Sequence, residues 1–188
     1  DIDITQTTNY PLDGNVKIAV DPSKKKNFSL RVRVPDWATN RFESALYSFE
    51  NKLSGEIKVI LNGKKANYQL VNGFIEINRE WQKGDKLEVD FPQEVRQIKA
   101  DPLLVDDKGK TAVQYGALVY CMEGVDNVNS FGEKLKTQSF KVQFNSNKLG
   151  GINEIYATSG GNKKVTLIPY YTWSNRGIGN MKVWMENE

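Results

Sequence analysis

Apolar and polar residues alternate with a period of two over much of the chain. Asn15–Val20 and Phe28–Pro35 place apolar side chains at every second position, the pattern of half-buried β-strands. The same pattern predicts strands at Glu56–Leu61, Phe74–Asn78 and Lys86–Pro92. Asn62-Gly63, Asn72-Gly73 and Gly84-Asp85 stand in the links, the turn chemistry of tight hairpins. Asp21–Asn27 is a turn cluster whose lysines, Lys24, Lys25 and Lys26, read as a solvated hairpin tip. A phosphate site is disfavoured there, because no aromatic or glycine-rich partner adjoins them. One segment breaks the period. Phe42, Ala45, Leu46, Phe49 and Leu53 fall at helical spacing, which predicts a short helix, or an irregular loop packed on the sheet, over residues 41–53.

Strand signals at intervals of roughly 10–15 residues, with no long helix between them, predict an all-β fold of antiparallel sandwiches. A seam lies at residues 96–112, where Arg96–Pro102 closes one strand set and Asp106–Lys110 forms a charged turn. Strand signals resume at Thr111–Met122, Ser139–Phe144, Glu154–Thr158 and Lys163–Pro169, and end at Met181–Met185. This gives two β-sandwich domains, residues 1–98 and 99–180, the second small. About 80 residues is thin for independent stability, so the second is expected to pack against other structure.

Composition narrows the chemistry. Twenty-six Lys and Arg against 23 Asp and Glu leave a net charge of +3 over 188 residues, without the concentrated basic face that nucleic acid requires. No run approaches the roughly 18 apolar residues of a membrane-spanning helix. The amino terminus, DIDITQTTNY, is polar and lacks an initiator Met, so the chain is expected to be a piece of a longer polypeptide. There is no histidine, which removes Ser-His-Asp catalysis, histidine general bases and histidine metal ligands. A single cysteine, Cys121, removes an internal disulfide and a Cys-rich zinc site. Calcium is disfavoured too, for want of a spaced Asp-x-Asp-x-Asp-Gly loop. No cofactor is expected.

Three groups of residues could still carry chemistry. Glu123 and Asp126 are the most suggestive carboxylate pair, since two carboxylates can cleave a glycosidic bond, but a pair so close at a strand end is more often tied to its own turn. Cys121 lies in the apolar run Ala117–Met122 and is expected to be buried and inert. The aromatics Trp37, Trp81, Trp173 and Trp184 could stack on sugars or fill the core, and Trp81 is expected to cover a sandwich edge. Tyr170–Gly177 differs from the rest: it follows Pro169, mixes Tyr170, Tyr171 and Trp173 with Asn175 and Arg176, and runs into Gly177-Ile178-Gly179. Its rings fall on both parities of a strand, so at least one should point away from its own sheet. These five residues are the candidate interdomain or sugar contact.

In order along the chain come RVRVPDWA at 31–38, LNGK at 61–64, WQKGD at 81–85, LEVDFP at 87–92, QYGALVYCME at 114–123, VDN at 125–127, LIPYYTWSNRG at 167–177 and MKVWM at 181–185. This series resembles the carboxy-terminal part of the bacterial β-L-arabinofuranosidase family of glycoside hydrolases, family 127 and its relatives. The resemblance implies that a helical (α/α)6 barrel, with a cysteine nucleophile, a catalytic Glu and a zinc site, precedes these residues. Cys121 and Glu123 do not stand in the family's catalytic motifs, so no catalytic role transfers to them, and this chain alone is expected to be inactive. The expected role is that of an accessory β-sandwich region buttressing the barrel, with the barrel and a homodimer partner as its contacts. The alternative is a carbohydrate-binding module for plant polysaccharide. Family context also implies export to the periplasm or cell surface, and a last strand, 181–188, that returns to complete the first domain.

Overall fold

The structure, a computed structural model, describes residues 1–42 and 44–188, with every side chain among them except that of Gln138. No α-helix occurs among these residues. The strands are β1 (Ile2–Thr8), β2 (Asn15–Pro22), β3 (Lys26–Arg33), β4 (Tyr47–Phe49), β5 (Lys58–Leu61), β6 (Lys64–Lys65), β7 (Gln69–Val71), β8 (Phe74–Trp81) and β9 (Asp85–Asp90). They continue as β10 (Val95–Ala100), β11 (Lys110–Tyr115), β12 (Leu118–Glu123), β13 (Leu135–Asn145), β14 (Ile152–Ser159), β15 (Lys164–Pro169), β16 (Met181–Lys182) and β17 (Met185–Glu186). These strands pair antiparallel with one another, beside one isolated parallel bridge between Leu135 and Asn187, and they fall into two compact units.

The first unit is Asp1–Arg41 with Leu53–Gln93. It faces a five-stranded sheet, β1-β2-β9-β5-β6, with a three-stranded one, β3-β8-β7. Alternation decides which side chains meet: Val16, Ile18, Val20, Val59, Leu87 and Val89 from one sheet pack with Ile75, Ile77 and Trp81 from the other. Trp81 is fully buried in this core rather than covering an edge. Its indole N–H donates to the Phe28 carbonyl at 3.0 Å, and its ring stacks on Phe28. Asn62-Gly63 and Asn72-Gly73, both residues of each pair at positive φ, close the hairpins β5–β6 and β7–β8. The other two turns are not hairpins. β2 pairs with β1 and β9 while β3 pairs with β8, so the lysine cluster lies on a crossing from one sheet to the other, and Gln82–Gly84 makes the return crossing.

The second unit is Phe42–Lys52 with Glu94–Glu188. Its sheet runs β13-β14-β15-β12-β11-β10-β4. Tyr120 and Met122 join Val113, Leu135, Ile155, Leu167 and Met185 in the main core, while Cys121 faces the other way with Ile152 and Ile168 under Leu149, Met181 and Val183. Both faces of β12 are covered, and Tyr120, Cys121 and Met122 are all fully buried.

Four expectations change here. The predicted helix or loop over 41–53 contains strand β4, which pairs with β10 (Glu43 lies outside the described residues). The Glu50 N–H donates to the Gln97 carbonyl, the Asn51 amide bonds the Val95 carbonyl and the Gln97 N–H, and Phe49 lies 3.7 Å beneath the Arg96 guanidinium. This sheet edge outweighs a helical spacing of apolar residues. Second, Val95–Ala100 opens the second unit instead of closing the first, because β10 pairs with β11. Third, with those segments included the second unit is the larger. Last, the carboxy-terminal strands do not return to the first unit: β16 pairs with β12 and β17 with β11.

Candidate functional site

Five charged residues of the second unit converge at the far end of β12. Glu123 ends that strand, a 3-10 turn at Gly124–Asp126 follows, and Asp126 points back beside it. Arg176 bridges the two. Its guanidinium grips Asp126 with two bonds of 2.7 and 2.6 Å and also pairs with Glu123. The second oxygen of Glu123 accepts the Ser174 N–H at 2.8 Å. Lys148, from the β13–β14 connection, spans Asp126 at 2.9 Å and Glu154 on β14 at 2.7 Å. Glu154 also accepts from Tyr156 and Asn145. Each charged group is partly or wholly withdrawn from water and has an opposite partner, the condition under which buried charges are tolerated.

Protonation follows from this packing. Burial alone would raise the Asp126 carboxyl, but the bonds from Arg176 and Lys148 outweigh it and hold the group below its usual range. Glu154 is likewise lowered: burial opposes, and Lys148, Asn145 and Tyr156 prevail. The Tyr156 hydroxyl, which donates to Glu154, is pushed up to about 12. Arg176 is held above its ordinary value by Asp126, against desolvation, with Glu123 adding to the effect. Burial, helped by the Glu123 charge, pushes the Cys121 thiol up to about 12.

These facts decide what the cluster can do. A glycosidase pair needs one carboxyl kept protonated as an acid, whereas Asp126 is stabilised as an anion and both Glu123 oxygens are engaged. The Glu123–Asp126 pair is therefore a structural clamp. Asn127 extends it: buried, it donates to the Glu123 and Thr166 carbonyls and accepts the Thr166 N–H. Among the described residues, no three His, Cys, Asp or Glu side chains come together to hold a metal.

What the clamp holds is the loop after β15. Pro169 leads into a 3-10 turn at Tyr170–Thr172, and the Thr172 hydroxyl donates to the Pro169 carbonyl. The Asn175 amide donates to the Thr172 carbonyl, and Ser174 and Gly177 sit at positive φ. Arg176 thus points inward while the rings point out: Tyr170 is 47% exposed, Tyr171 57% and Trp173 40%. Tyr170 and Trp173 stack with centroids 6.3 Å apart and planes 19° apart, and Ile178 stands fully exposed just beyond. Of the five candidate contact residues, three form this outer face, while Asn175 and Arg176 anchor it. The other tryptophans lie elsewhere: Trp37 donates to the Tyr10 hydroxyl and meets Phe91 edge-on, and Trp184 stacks on Tyr47. Lys148 and Glu154 carry no sequence signal of their role, since Glu154 reads only as one more position of an alternating strand.

The comparisons with known proteins bear on the whole chain. Residues 1–93 match the profile described as β-L-arabinofuranosidase, family 127 middle domain, and residues 95–186 match that of the glycoside hydrolase family 127 C-terminal domain. A non-reducing end β-L-arabinofuranosidase of Bifidobacterium longum subsp. longum is 27% identical over 96% of this chain. A solved family 127 β-arabinofuranosidase superposes on all of it with a TM-score of 0.90 at 32% identity. The family 127 β-L-arabinofuranosidase of Geobacillus stearothermophilus T6 does so with 0.82 at 31% identity. The chain spans 30% of the length of the first of these relatives, 32% of the second and 31% of the third. Matched by two adjoining profiles of one family and by its solved members along its full length, the chain belongs to glycoside hydrolase family 127, of which it holds the middle and carboxy-terminal domains.

Proposed function

We propose that this chain is the non-catalytic accessory β-sandwich region of a β-L-arabinofuranosidase, and that it buttresses a catalytic barrel upstream in the same polypeptide. One observation carries the reading: Tyr170, Tyr171, Trp173 and Ile178 form an outward apolar face on a loop whose backbone is fixed from inside by Arg176. A protein that sets a network of five buried and half-buried charges behind an exposed aromatic loop has prepared a surface for contact, and Tyr and Trp are favoured at such contacts. The chain's share of its relatives' length fits a supporting part of a larger enzyme. Contact with a second copy of the polypeptide and export to the periplasm or cell surface belong to the same proposal and rest on family context.

The alternative is a carbohydrate-binding module that uses the near-parallel Tyr170 and Trp173 rings as a platform. One comparison separates the two: wild type against a Tyr171→Ala, Trp173→Ala double variant in the full-length polypeptide. Buttressing predicts lower thermal stability and weaker arabinofuranosidase activity in the variant. If docking, stability and activity are all unchanged, the proposal fails. Loss of polysaccharide affinity with stability intact favours the module.

A further inference from the structure

We infer that a groove beside β8 in the first unit is a binding site for a short neutral saccharide. This inference does not rest on the proposed docking role of Tyr170–Gly177.

The groove arises from unequal strand lengths. β7 pairs with β8 only from Gln69↔Glu76 to Val71↔Phe74, whereas β3 pairs with β8 along its whole length to Trp81. Past Glu76 the β7 side of β8 has no strand beside it. The chain before β7 turns away there, because Tyr68 packs against the sandwich core. What remains is a recess of about 480 Å³ lined by Asn67, Tyr68, Gln69, Glu76, Ile77 and Asn78. That volume falls within the roughly 300–1,000 Å³ of small-molecule sites.

Its chemistry points to one class of ligand. Asn67, Gln69 and Asn78 supply three primary amides, each with two N–H donors and a carbonyl acceptor. Among the described residues, none of these amides has a side-chain hydrogen bond. Vicinal hydroxyls, each a donor and an acceptor at once, match that set. Half-buried Tyr68 adds an anchored apolar surface against which a ring can lie. The one carboxylate, Glu76, is paired with Arg31 across the strands at 2.5 Å, so the groove carries no uncompensated charge. An ionic ligand finds no counter-charge here. Strand addition by a peptide would need apolar holes for alternate side chains, and the open stretch of β8 presents Asn78 and Glu80 outward instead.

The test is a titration of the ¹⁵N-labelled 188-residue protein with arabinotriose and xylotriose, and with trigalacturonate as a charged comparator. Side-chain NH₂ signals of Asn67, Gln69 and Asn78 should move saturably with a neutral trisaccharide, at a Kd on the order of 1–10 mM. Asn78→Ala and Gln69→Ala, both exposed positions where truncation is tolerated, should each weaken binding about tenfold with the backbone spectrum otherwise unchanged. The inference is overturned if neither neutral trisaccharide gives a saturable shift at these signals. It is also overturned if shifts are confined to Tyr170–Trp173, or if trigalacturonate binds more tightly. A valine- and threonine-rich hexapeptide that moves the Asn78 and Glu80 backbone signals, when the sugars do not, would replace it with strand addition.

Discussion

At the scale of single residues, the behaviour of the second unit turns on two groups with opposite consequences. Cys121 is fully buried, and the thiolate it would need for reaction is disfavoured by its apolar surroundings and by Glu123. Native protein at neutral pH should react with a thiol reagent no faster than it opens, and labelling should become rapid in denaturant. Immediate native labelling would contradict the burial. Arg176 is the reverse case, a charge whose removal leaves others stranded. Arg176→Ala leaves Glu123 without a counter-ion and Asp126 with Lys148 alone, and should cost about 3 kcal/mol. Arg176→Lys should recover only part of this, because an ammonium cannot grip Asp126 with two parallel bonds. The effect has a pH signature. Asp126, which Arg176 holds below its ordinary 3.8, contributes fully above that value, and its contribution is lost as pH falls through the lowered one. Melting curves should therefore show a large gap between wild type and Arg176→Ala at pH 7 that narrows below about pH 4. A gap that is constant with pH would mean that lost packing, not lost pairing, explains the variant.

At the scale of elements, legibility followed the length and regularity of each strand. β2, β3 and β9 alternate strictly because one face meets the core and the other meets water, and all three read directly from the sequence. β1 did not, since its inner residues are mostly exposed and its apolar positions too few to set a period. β4 did not either: three residues long, it owes its form to β10, to Asn51 and to the Arg96–Phe49 contact, none of them local. Turn chemistry was read correctly at Asn62 and Asn72 but misled at Lys24 and Gly84, because a tight turn does not declare which sheet the next strand will join. The clamp was half legible. Glu123, Asp126 and Arg176 each stood out by type, but 50 residues separate Asp126 from Arg176 along the chain, and nothing local joins them to Lys148. The β4 assignment is directly testable. Asn51→Ala leaves the Val95 carbonyl and the Gln97 N–H without their partner and should destabilise the second unit by about 1–3 kcal/mol. If residues 41–53 instead formed a surface loop, the substitution would be silent.

At the scale of the whole molecule, the structural division and the family division do not coincide. The two family profiles part at residues 93–95, yet Phe42–Lys52 lies within the span of the first profile and folds with the second unit. A fragment of residues 94–188 should accordingly be poorly folded on its own, with β10 left as a bare edge. Adding a peptide of residues 42–52 in trans should restore dispersion to its NMR spectrum. Full native dispersion of the fragment without the peptide would contradict the assignment. The first unit, by contrast, is built from two segments, Asp1–Arg41 and Leu53–Gln93, joined across the excursion of Phe42–Lys52. The loan of β4 also has a genetic consequence. A crossover between two relatives at residue 94 would join one parent's β4, with its Phe49 and Asn51, to the other parent's β10, with its Arg96 and Gln97. Such chimaeras should survive only where the parents agree at these four positions, so the middle and carboxy-terminal domains are inherited as one block despite their separate sequence signatures.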